Sequence, residues 1–228
     1  MLTVEAKRPL SKGSLQAKRT IERGNERKFL WKILEFPPIY RFVQKVLAPG
    51  TEKVLSREIK SVLGVANSRK RYLDVGCGPQ SLLSSFHLAP VGVDRVHAYC
   101  RSFQKAGGRA VTASATRLPF QDRSFDMVWN FGMFHHLSDE MVGQAITEML
   151  RVVQPSGCVV VFDGVMPESA WRHPFAWLAR KLDRGRYMRR QKALESLLVR
   201  DHQRWDIKRF TYSFWGHEGV LCVGRRHN

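Results

Sequence analysis

The chain of 228 residues lacks several features that would assign it to a common class of protein. Its four cysteines lie far apart without a CxxC pair, which excludes a disulfide framework and the usual zinc motifs and indicates a reduced, cytosolic protein with no metal site. The longest stretch without a charged residue, residues 75–93, is interrupted by glycines and prolines and is not typical of a transmembrane helix. The first residues show no apolar segment followed by small residues, so we expect no secretory leader.

Acidic residues are scarce, because 20 Asp and Glu stand against 38 Lys and Arg and give a formal net charge of +18. Residues 1–70 hold 16 basic and 6 acidic side chains (+10), residues 71–165 hold 8 and 8 (zero), and residues 166–228 hold 14 and 6 (+8). Hydrophobic residues make up 43% of the chain, enough for a packed core, which excludes wholesale disorder. The charge pattern therefore indicates a neutral centre between two basic flanks.

Apolar periodicity divides the chain into three parts. Residues 1–26 lack it and are interpreted as a mobile basic arm, whereas residues 27–66 show helical spacing and predict N-terminal helices that act as a lid or face a membrane. In residues 67–228 strand-like and helix-like segments alternate, beginning with a helix predicted over residues 81–88, as in the βαβ units of a doubly wound sheet. Within this part, about residues 166–204 are expected to form a basic, helical cap insertion.

The last strand-like runs depart from that alternation. They cover residues 207–214 and 220–225, and the five residues 215–219 between them leave no room for a crossover helix. Two strands joined so closely predict an antiparallel β-hairpin at the end of an α/β sheet.

A strand over residues 71–75 runs into a glycine-rich turn. Gly76 and Gly78 allow the backbone to approach a ligand at points where a Cβ would clash. Asp94 lies 20 residues after Asp74, at the tip of the next predicted strand, and this spacing suits a carboxylate that accepts both ribose hydroxyls of a nucleotide-like ligand. A tight turn followed by a surface aspartate would show the same pattern.

Five landmarks follow one another through the centre of the chain. They are Asp74-x-Gly76-x-Gly78, Val91-Gly92-Val93-Asp94, Leu118-Pro119-Phe120-x-Asp122-x-Ser124-Phe125-Asp126, Phe134-His135-His136-Leu137 and Val153-Gln154-Pro155-Ser156-Gly157. In this order they resemble the class I S-adenosylmethionine-dependent methyltransferases, especially the type 11, ubiquinone- and menaquinone-biosynthesis-like branch. The resemblance covers about residues 70–165. It implies a Rossmann-like, seven-stranded sheet ending in an antiparallel hairpin, with S-adenosylmethionine as the cofactor.

The resemblance also implies a cofactor site with three parts. The residues are Asp74, Gly76, Cys77 and Gly78 around the methionine part, Asp94 at the ribose, Arg95, Ser114 and Ala115 near the adenine, and Asn130 at the end of the fourth strand. The family often has Gly-Asp-Ala before Leu-Pro-Phe, with the Asp on the adenine amino group, and here Ser114 replaces that carboxylate. The family's third glycine is also absent, because Gln80 takes its place.

Two adjacent histidines, His135 and His136, are the candidate catalytic residues. In methyl transfer the protein mainly supplies position and desolvation, and a base is needed only for a weakly acidic hydroxyl or a carbon acid. Either histidine would serve as that base or orient the acceptor at the carboxyl edge of the sheet. The alternative is that the pair belongs to the framework of the fold, with one ring packing and the other capping the next helix.

Basic and aromatic residues are interleaved in both flanks. In the second flank the basic residues crowd into 13 positions and are Arg180, Lys181, Arg184, Arg186, Arg189, Arg190 and Lys192, with Trp171, Phe175, Trp177 and Tyr187 nearby. Such segments suit an anionic membrane surface or nucleic-acid phosphates, and a solvated basic surface would have the same composition.

The sequence therefore predicts a cytoplasmic methyltransferase, in peripheral contact with the inner face of the membrane. Its acceptor would be an anionic small molecule, lipid-linked or glycan-type, methylated at oxygen or carbon. Two alternatives stay open, an RNA methyltransferase and a non-catalytic membrane-peripheral protein with a methyltransferase fold. The absence of Asn-Pro-Pro-Tyr, Asp-Pro-Pro-Tyr and a suitably placed Pro-Cys disfavours methylation of nucleic-acid bases.

Overall fold

The structure is a computed structural model that describes residues 50–64, 69–181, 185–199 and 203–226. These residues belong to one compact unit, Leu47–Asn228. The predicted basic arm and the first of the predicted N-terminal helices lie outside the described residues.

Within these ranges the chain forms seven strands, five α-helices and two short 3-10 helices. The strands are β1 (Tyr72–Val75), β2 (Val91–Asp94), β3 (Arg109–Thr112), β4 (Phe125–Phe131), β5 (Val153–Val165), β6 (Gln203–Thr211) and β7 (Glu218–Arg226). The α-helices are α1 (Thr51–Leu63), α2 (His97–Lys105), α3 (Asp139–Val152), α4 (Pro174–Lys181) and α5 (Gln191–Leu198), and the 3-10 helices cover Leu82–Phe86 and Phe134–His136.

All seven strands form one sheet in the order β3-β2-β1-β4-β5-β7-β6. Strands β1 to β5 are parallel, whereas β7 is antiparallel to both β5 and β6. The Rossmann-like, doubly wound sheet with a C-terminal hairpin is therefore confirmed. Val165 at the carboxyl end of β5 pairs with Glu218 at the start of β7, so the hairpin loop lies at the carboxyl edge of the parallel strands.

The central strands are apolar on both faces because helices cover both faces. On one face Ile146 of α3 and Leu194 of α5 pack into the core, and on the other face Leu55 and Ile59 of α1 do so. No helix in the described ranges has the length and apolar character that crossing a membrane requires.

Local capping explains where two helices begin and end. Ser138 accepts a hydrogen bond from the Met141 N–H at 3.3 Å and caps α3. The prediction of a helix over all of residues 81–88 is wrong in its extent, because this segment forms only the short 3-10 helix Leu82–Phe86. Ser81 caps the Leu83 N–H at 3.2 Å and His87 turns left-handed with φ 57°, which leaves room for a single short turn.

The segment predicted as a cap contains α4 and α5, and a buried arginine ties it to the sheet domain. Arg189 donates from Nε and Nη2 to Asp139 Oδ1 at 2.9 and 2.6 Å. It also donates to the carbonyls of Phe134 and Leu137 at 2.8 and 2.7 Å. Because Arg180 is buried as well, only part of the basic cluster in this segment faces solvent.

Candidate functional site

The glycine turn follows β1 and is held against β2. The N–H groups of Gly76 and Cys77 both donate to the Val93 carbonyl, at 2.7 and 3.1 Å. Gly76 (φ 77°) and Gly78 (φ 60°) adopt left-handed backbone angles that favour glycine. A Cβ on Gly76 would lie 2.8 Å from Met133 Sδ, whereas a Cβ on Gly78 would meet nothing within 4 Å. The turn is therefore closed toward the fold and open at Gly78, as a ligand cradle requires.

The side chain of Cys77 belongs to the core beneath the turn. Its Sγ lies over Gly92, where an added Cβ would come within 2.7 Å, and it packs in a buried cluster with Cys100 and Phe103. Burial raises the pKa of the Cys77 thiol. Cys77 therefore shapes the turn through its backbone and through packing, with a neutral thiol.

Asp94 connects the glycine turn to the end of β2. Its Oδ2 accepts from the Gly78 N–H at 3.0 Å and its Oδ1 from the Val96 N–H at 2.8 Å. Burial raises the pKa of Asp94, and these two hydrogen bonds oppose that shift. A carboxylate has about four lone-pair sites, so each oxygen retains capacity for a ribose hydroxyl. The arrangement fits the role predicted for Asp94.

Two buried acceptor atoms lie at the carboxyl ends of β1 and β4. Among the described residues, Asp74 Oδ1 and Asn130 Oδ1 have no hydrogen-bond partner. Asn130 is fully buried, and its Nδ2 donates to the Val75 carbonyl at 2.7 Å. Burial raises the pKa of Asp74 to about 7, the nearby Asp94 adds to this, and a Ser81 hydrogen bond opposes it. A buried acceptor without a partner costs about 1–3 kcal/mol, so these atoms fit a ligand that donates hydrogen bonds.

The predicted adenine side lies at the carboxyl end of β3. Arg95 is exposed, and Ala115 packs half-buried against the core. The Ser114 hydroxyl hydrogen-bonds to Thr116 Oγ1 at 2.8 Å and accepts from the Thr116 N–H at 3.2 Å. The Ser114 hydroxyl is therefore used in hydrogen bonds within its own loop. It does not replace the carboxylate that would contact the adenine amino group.

The two candidate histidines have different surroundings in the structure. His135 Nδ1 lies 2.6 Å from Asp163 Oδ1, and the His135 N–H donates to Asp163 Oδ2 at 3.0 Å. Burial alone would raise the pKa of Asp163, but the charge and hydrogen bonds of His135 together with Arg180 hold it below its usual value. Asp163 is therefore an ionised acceptor, and His135 donates from Nδ1. His136 is exposed, with its ring 4.1 Å from that of His135.

Asp163 is a site residue that the sequence analysis missed. It stands near the carboxyl end of β5 within an otherwise apolar buried run, and a lone acid in such a run is a signal that could have identified it. Its partner His135 lies close to the cofactor turn, because Met133 of the same loop packs against Gly76. The structure therefore brings a His–Asp pair and the glycine turn to one edge of the sheet.

A second buried polar group continues from Asp163 toward the hairpin loop. The guanidinium of Arg180 lies over Gly164, donates to the Tyr212 hydroxyl and is 5.7 Å from the centre of the Tyr212 ring. The Tyr212 ring stacks on His217 at 6.0 Å, and His217 Nδ1 is 2.7 Å from Ser213 Oγ. Arg180 belongs to the basic cluster in residues 180–192, and it is a buried component of this network.

The strand order, the open glycine turn and the acid at the end of β2 define a class I methyltransferase fold. Residues 73–161 match the type 11 family model described as "Methyltransferase domain". Residues 73–161 are therefore similar to the class I S-adenosylmethionine-dependent methyltransferases of the menaquinone-biosynthesis-like branch. S-adenosylmethionine is the cofactor of this class.

Curated relatives and solved structures show similarity to methyltransferases as well. The chain is 35% identical to a demethylmenaquinone methyltransferase of Beutenbergia cavernae, over 56% of this chain and 54% of the relative. It is 36% identical to an uncharacterized methyltransferase of Mycobacterium tuberculosis, over 45% of this chain and 41% of the relative. The chain thus spans about half the length of the curated relatives it matches.

Two solved structures share the fold at low sequence identity. A SAM-dependent methyltransferase from Thermotoga maritima has a TM-score of 0.67 at 15% identity and covers 86% of this chain and 99% of its own. Geranyl diphosphate C-methyltransferase from Streptomyces coelicolor, in complex with Mg²⁺, geranyl diphosphate and S-adenosylhomocysteine, has a TM-score of 0.61 at 13% identity. It covers 77% of this chain and 81% of its own.

Proposed function

We propose that the chain is an enzyme that transfers a methyl group from S-adenosylmethionine to oxygen or carbon of a small-molecule or lipid-linked acceptor. The observation that carries the proposal is the His135–Asp163 pair, which stands at the same sheet edge as the open glycine turn. A base supported by a buried carboxylate is useful for an acceptor that must lose a proton, such as a hydroxyl or an acidic carbon.

The residues at the turn fit the cofactor of this class. When bound, S-adenosylmethionine supplies a methyl group activated by attachment to a positively charged sulfur. Asp74 Oδ1 and Asn130 Oδ1 would accept hydrogen bonds from it, Asp94 would accept from its hydroxyls, and Gly78 leaves the space for it. These are acceptor groups facing a ligand rich in donors and positive charge, which is favourable in a partly desolvated site.

His135 would take the acceptor's proton. Because ionised Asp163 accepts the proton on Nδ1, the lone pair of the ring is on Nε2, the basic nitrogen of that tautomer. Both oxygens of Asp163 hold the histidine, one through the ring and one through its backbone N–H, and Gly185 packs closely on the ring. This fixed orientation lowers the entropic cost of bringing base and acceptor together.

The names of the matched proteins point to a class of acceptor. The Beutenbergia relative is named as a demethylmenaquinone methyltransferase and the Streptomyces structure holds geranyl diphosphate, and both of these molecules contain an isoprenoid chain. We extend this to an acceptor with an apolar chain, which agrees with a catalytic centre whose sequence carries no net charge (8 basic and 8 acidic residues in 71–165).

The test incubates the purified full chain with S-adenosylmethionine carrying a radiolabelled methyl group and with separate lipid, polar-metabolite and RNA fractions. Label in the lipid fraction that is lost in His135→Gln is the expected result. Label in RNA would establish the RNA hypothesis, and cofactor binding without label in any fraction would establish the non-catalytic one. Either outcome contradicts the proposal.

A further inference from the structure

Five large apolar side chains are exposed to solvent near the carboxyl edge of the sheet. They form what we call the aromatic patch: Trp171, Phe175, Leu178, Phe214 and Trp215. Trp171 is 96% exposed and Phe214 is 82% exposed, so these two are the most exposed members of the patch. Single exposed apolar residues are ordinary on soluble proteins, but several large ones close together indicate an interaction surface.

Contacts between α4 and the hairpin loop make the patch continuous. The ring of Phe175 lies 5.6 Å from that of Trp215, which in turn lies 5.5 Å from Phe214. His173 packs so closely on Gly216 that a Cβ there would come within 2.2 Å. Leu178 follows Phe175 by three positions in α4 and shares its helix face. Phe175, Leu178, Phe214 and Trp215, from two elements far apart in sequence, therefore present one apolar surface, and Trp171 lies three residues before the start of α4.

The charges beside the patch are positive. Arg172 and Lys181 are exposed, and Lys181 Nζ lies 4.1 Å from the centre of the Trp177 ring. The acidic Glu168 and Glu218 both pair with the single Arg209, Glu168 at 3.7 Å, so this group keeps one negative charge against the two cations Arg172 and Lys181. The surface thus combines exposed aromatic groups with a net positive charge, the composition that suits an anionic lipid surface.

We propose that the aromatic patch docks the protein on an anionic phospholipid bilayer, with Trp171 and Phe214 entering the headgroup region and Arg172 and Lys181 against the lipid phosphates. The inference goes beyond the proposed methyl transfer and does not rest on it. The exposed side chains favour a bilayer over single-stranded nucleic acid, which binds in a positively charged groove. A second copy of the chain is disfavoured, because a symmetric contact would bring equal positive charges together.

The test measures co-sedimentation of the full chain with vesicles of phosphatidylcholine alone and of phosphatidylcholine with phosphatidylglycerol in equal parts. We expect binding to the anionic vesicles that weakens as salt is added. The double variant Trp171→Ser/Phe214→Ser should bind them about tenfold or more weakly, because two apolar groups no longer enter the interface. Arg172→Gln/Lys181→Gln should lose most of the difference between the two kinds of vesicle.

Val199→Ser is the matched control, because Val199 is 69% exposed and lies outside the patch, directly after α5. It should bind vesicles like the parent chain, and S-adenosylmethionine binding by calorimetry should be the same in all variants if they fold. Equal vesicle binding by Trp171→Ser/Phe214→Ser and by Val199→Ser would overturn the proposal. So would a dimer, or RNA binding, that depends on Trp171 and Phe214 while vesicle binding does not.

Discussion

The buried polar groups at the two halves of the sheet's carboxyl edge differ in whether they have partners within the fold. At the ends of β1 and β4, Asp74 and Asn130 each leave a buried oxygen without a partner among the described residues. At the other half, Asp163 pairs with His135, and the buried Arg189 pairs with Asp139. The first half has buried acceptor atoms available to a ligand, whereas the second is held together by its own charges.

The same contrast shows that the basic residues of the C-terminal flank do not all lie on the surface. The sequence places +8 on residues 166–228, a pattern that suits an anionic membrane surface, nucleic-acid phosphates or a solvated basic surface. Arg180 and Arg189 are buried, however, and Arg209 pairs with Glu218, so part of the excess stabilises the cap. The remainder, including Arg172 and Lys181, lies beside exposed aromatic groups. The charge therefore serves two purposes, internal pairing and an outward surface.

The largest effect is expected at the His135–Asp163 pair in the second half. His135→Gln should lower kcat by about 10²–10⁴-fold, because the group that takes the proton is gone. S-adenosylmethionine affinity, measured by calorimetry, should change little. His136→Gln is the matched comparison, and we expect a much smaller loss because its ring is exposed to solvent. Equal losses in the two variants would assign both histidines to the framework.

A loss of stability is expected where the second half is anchored. Arg189→Ala should lower the free energy of unfolding by about 2–3 kcal/mol, because buried carbonyls and Asp139 lose a charged donor. Urea titration followed by circular dichroism measures this. The exposed neighbour variant Arg190→Ala should stay within about 0.5 kcal/mol of the parent. If Arg189→Ala is equally harmless, the cap does not depend on that arginine.

A smaller effect is expected at the ligand half. Asp94→Ala should weaken S-adenosylmethionine binding by about 1–3 kcal/mol, since charged hydrogen bonds are lost and the Gly78 N–H is released. Calorimetry measures the affinity, with Asp206→Ala as a control because that carboxylate is exposed on β6. Unchanged affinity in Asp94→Ala would place the ribose elsewhere.

The most gradual effect, spread over about three pH units, is a pH dependence of stability that originates at Asp74. Its pKa rises from 3.8 to about 7 on folding, so the folded chain holds a proton that the unfolded chain has released within this window. Stability from this group is fully present below pH 3.8 and is lost as the pH rises toward about 7, by up to about 1.4 kcal/mol per pH unit. Asp74→Asn should remove that slope in urea titrations across this range, and an unaltered slope would contradict it.

Local sequence patterns made the glycine turn and the end of β2 predictable from the sequence. The left-handed angles at Gly76 and Gly78 require glycine, and Asp94 ends a strand whose position follows from that turn. The close spacing of the last two strands likewise required a hairpin. Each of these features depends on neighbours in the sequence, which is why a single chain reveals them.

The second half was less predictable because its partners are distant in sequence. Asp163 meets His135 only when β5 and the 3-10 helix Phe134–His136 come together, and Arg189 meets Asp139 across 50 positions. No periodicity shows whether an arginine in a basic cluster is exposed or buried. The error at residues 81–88 is of another kind, since capping by Ser81 and a left-handed His87 outweighed apolar spacing.

The position of β7 has a consequence for how the sheet is made. It lies between β5 and β6 although it follows both in the chain. While the ribosome synthesises the protein, β1 to β5 can assemble first, but β6 has no strand to pair with until β7 emerges. Until then the apolar edge of β5 is open to other chains. Pairing with β7 therefore removes an open strand edge of the kind at which chains associate and aggregate.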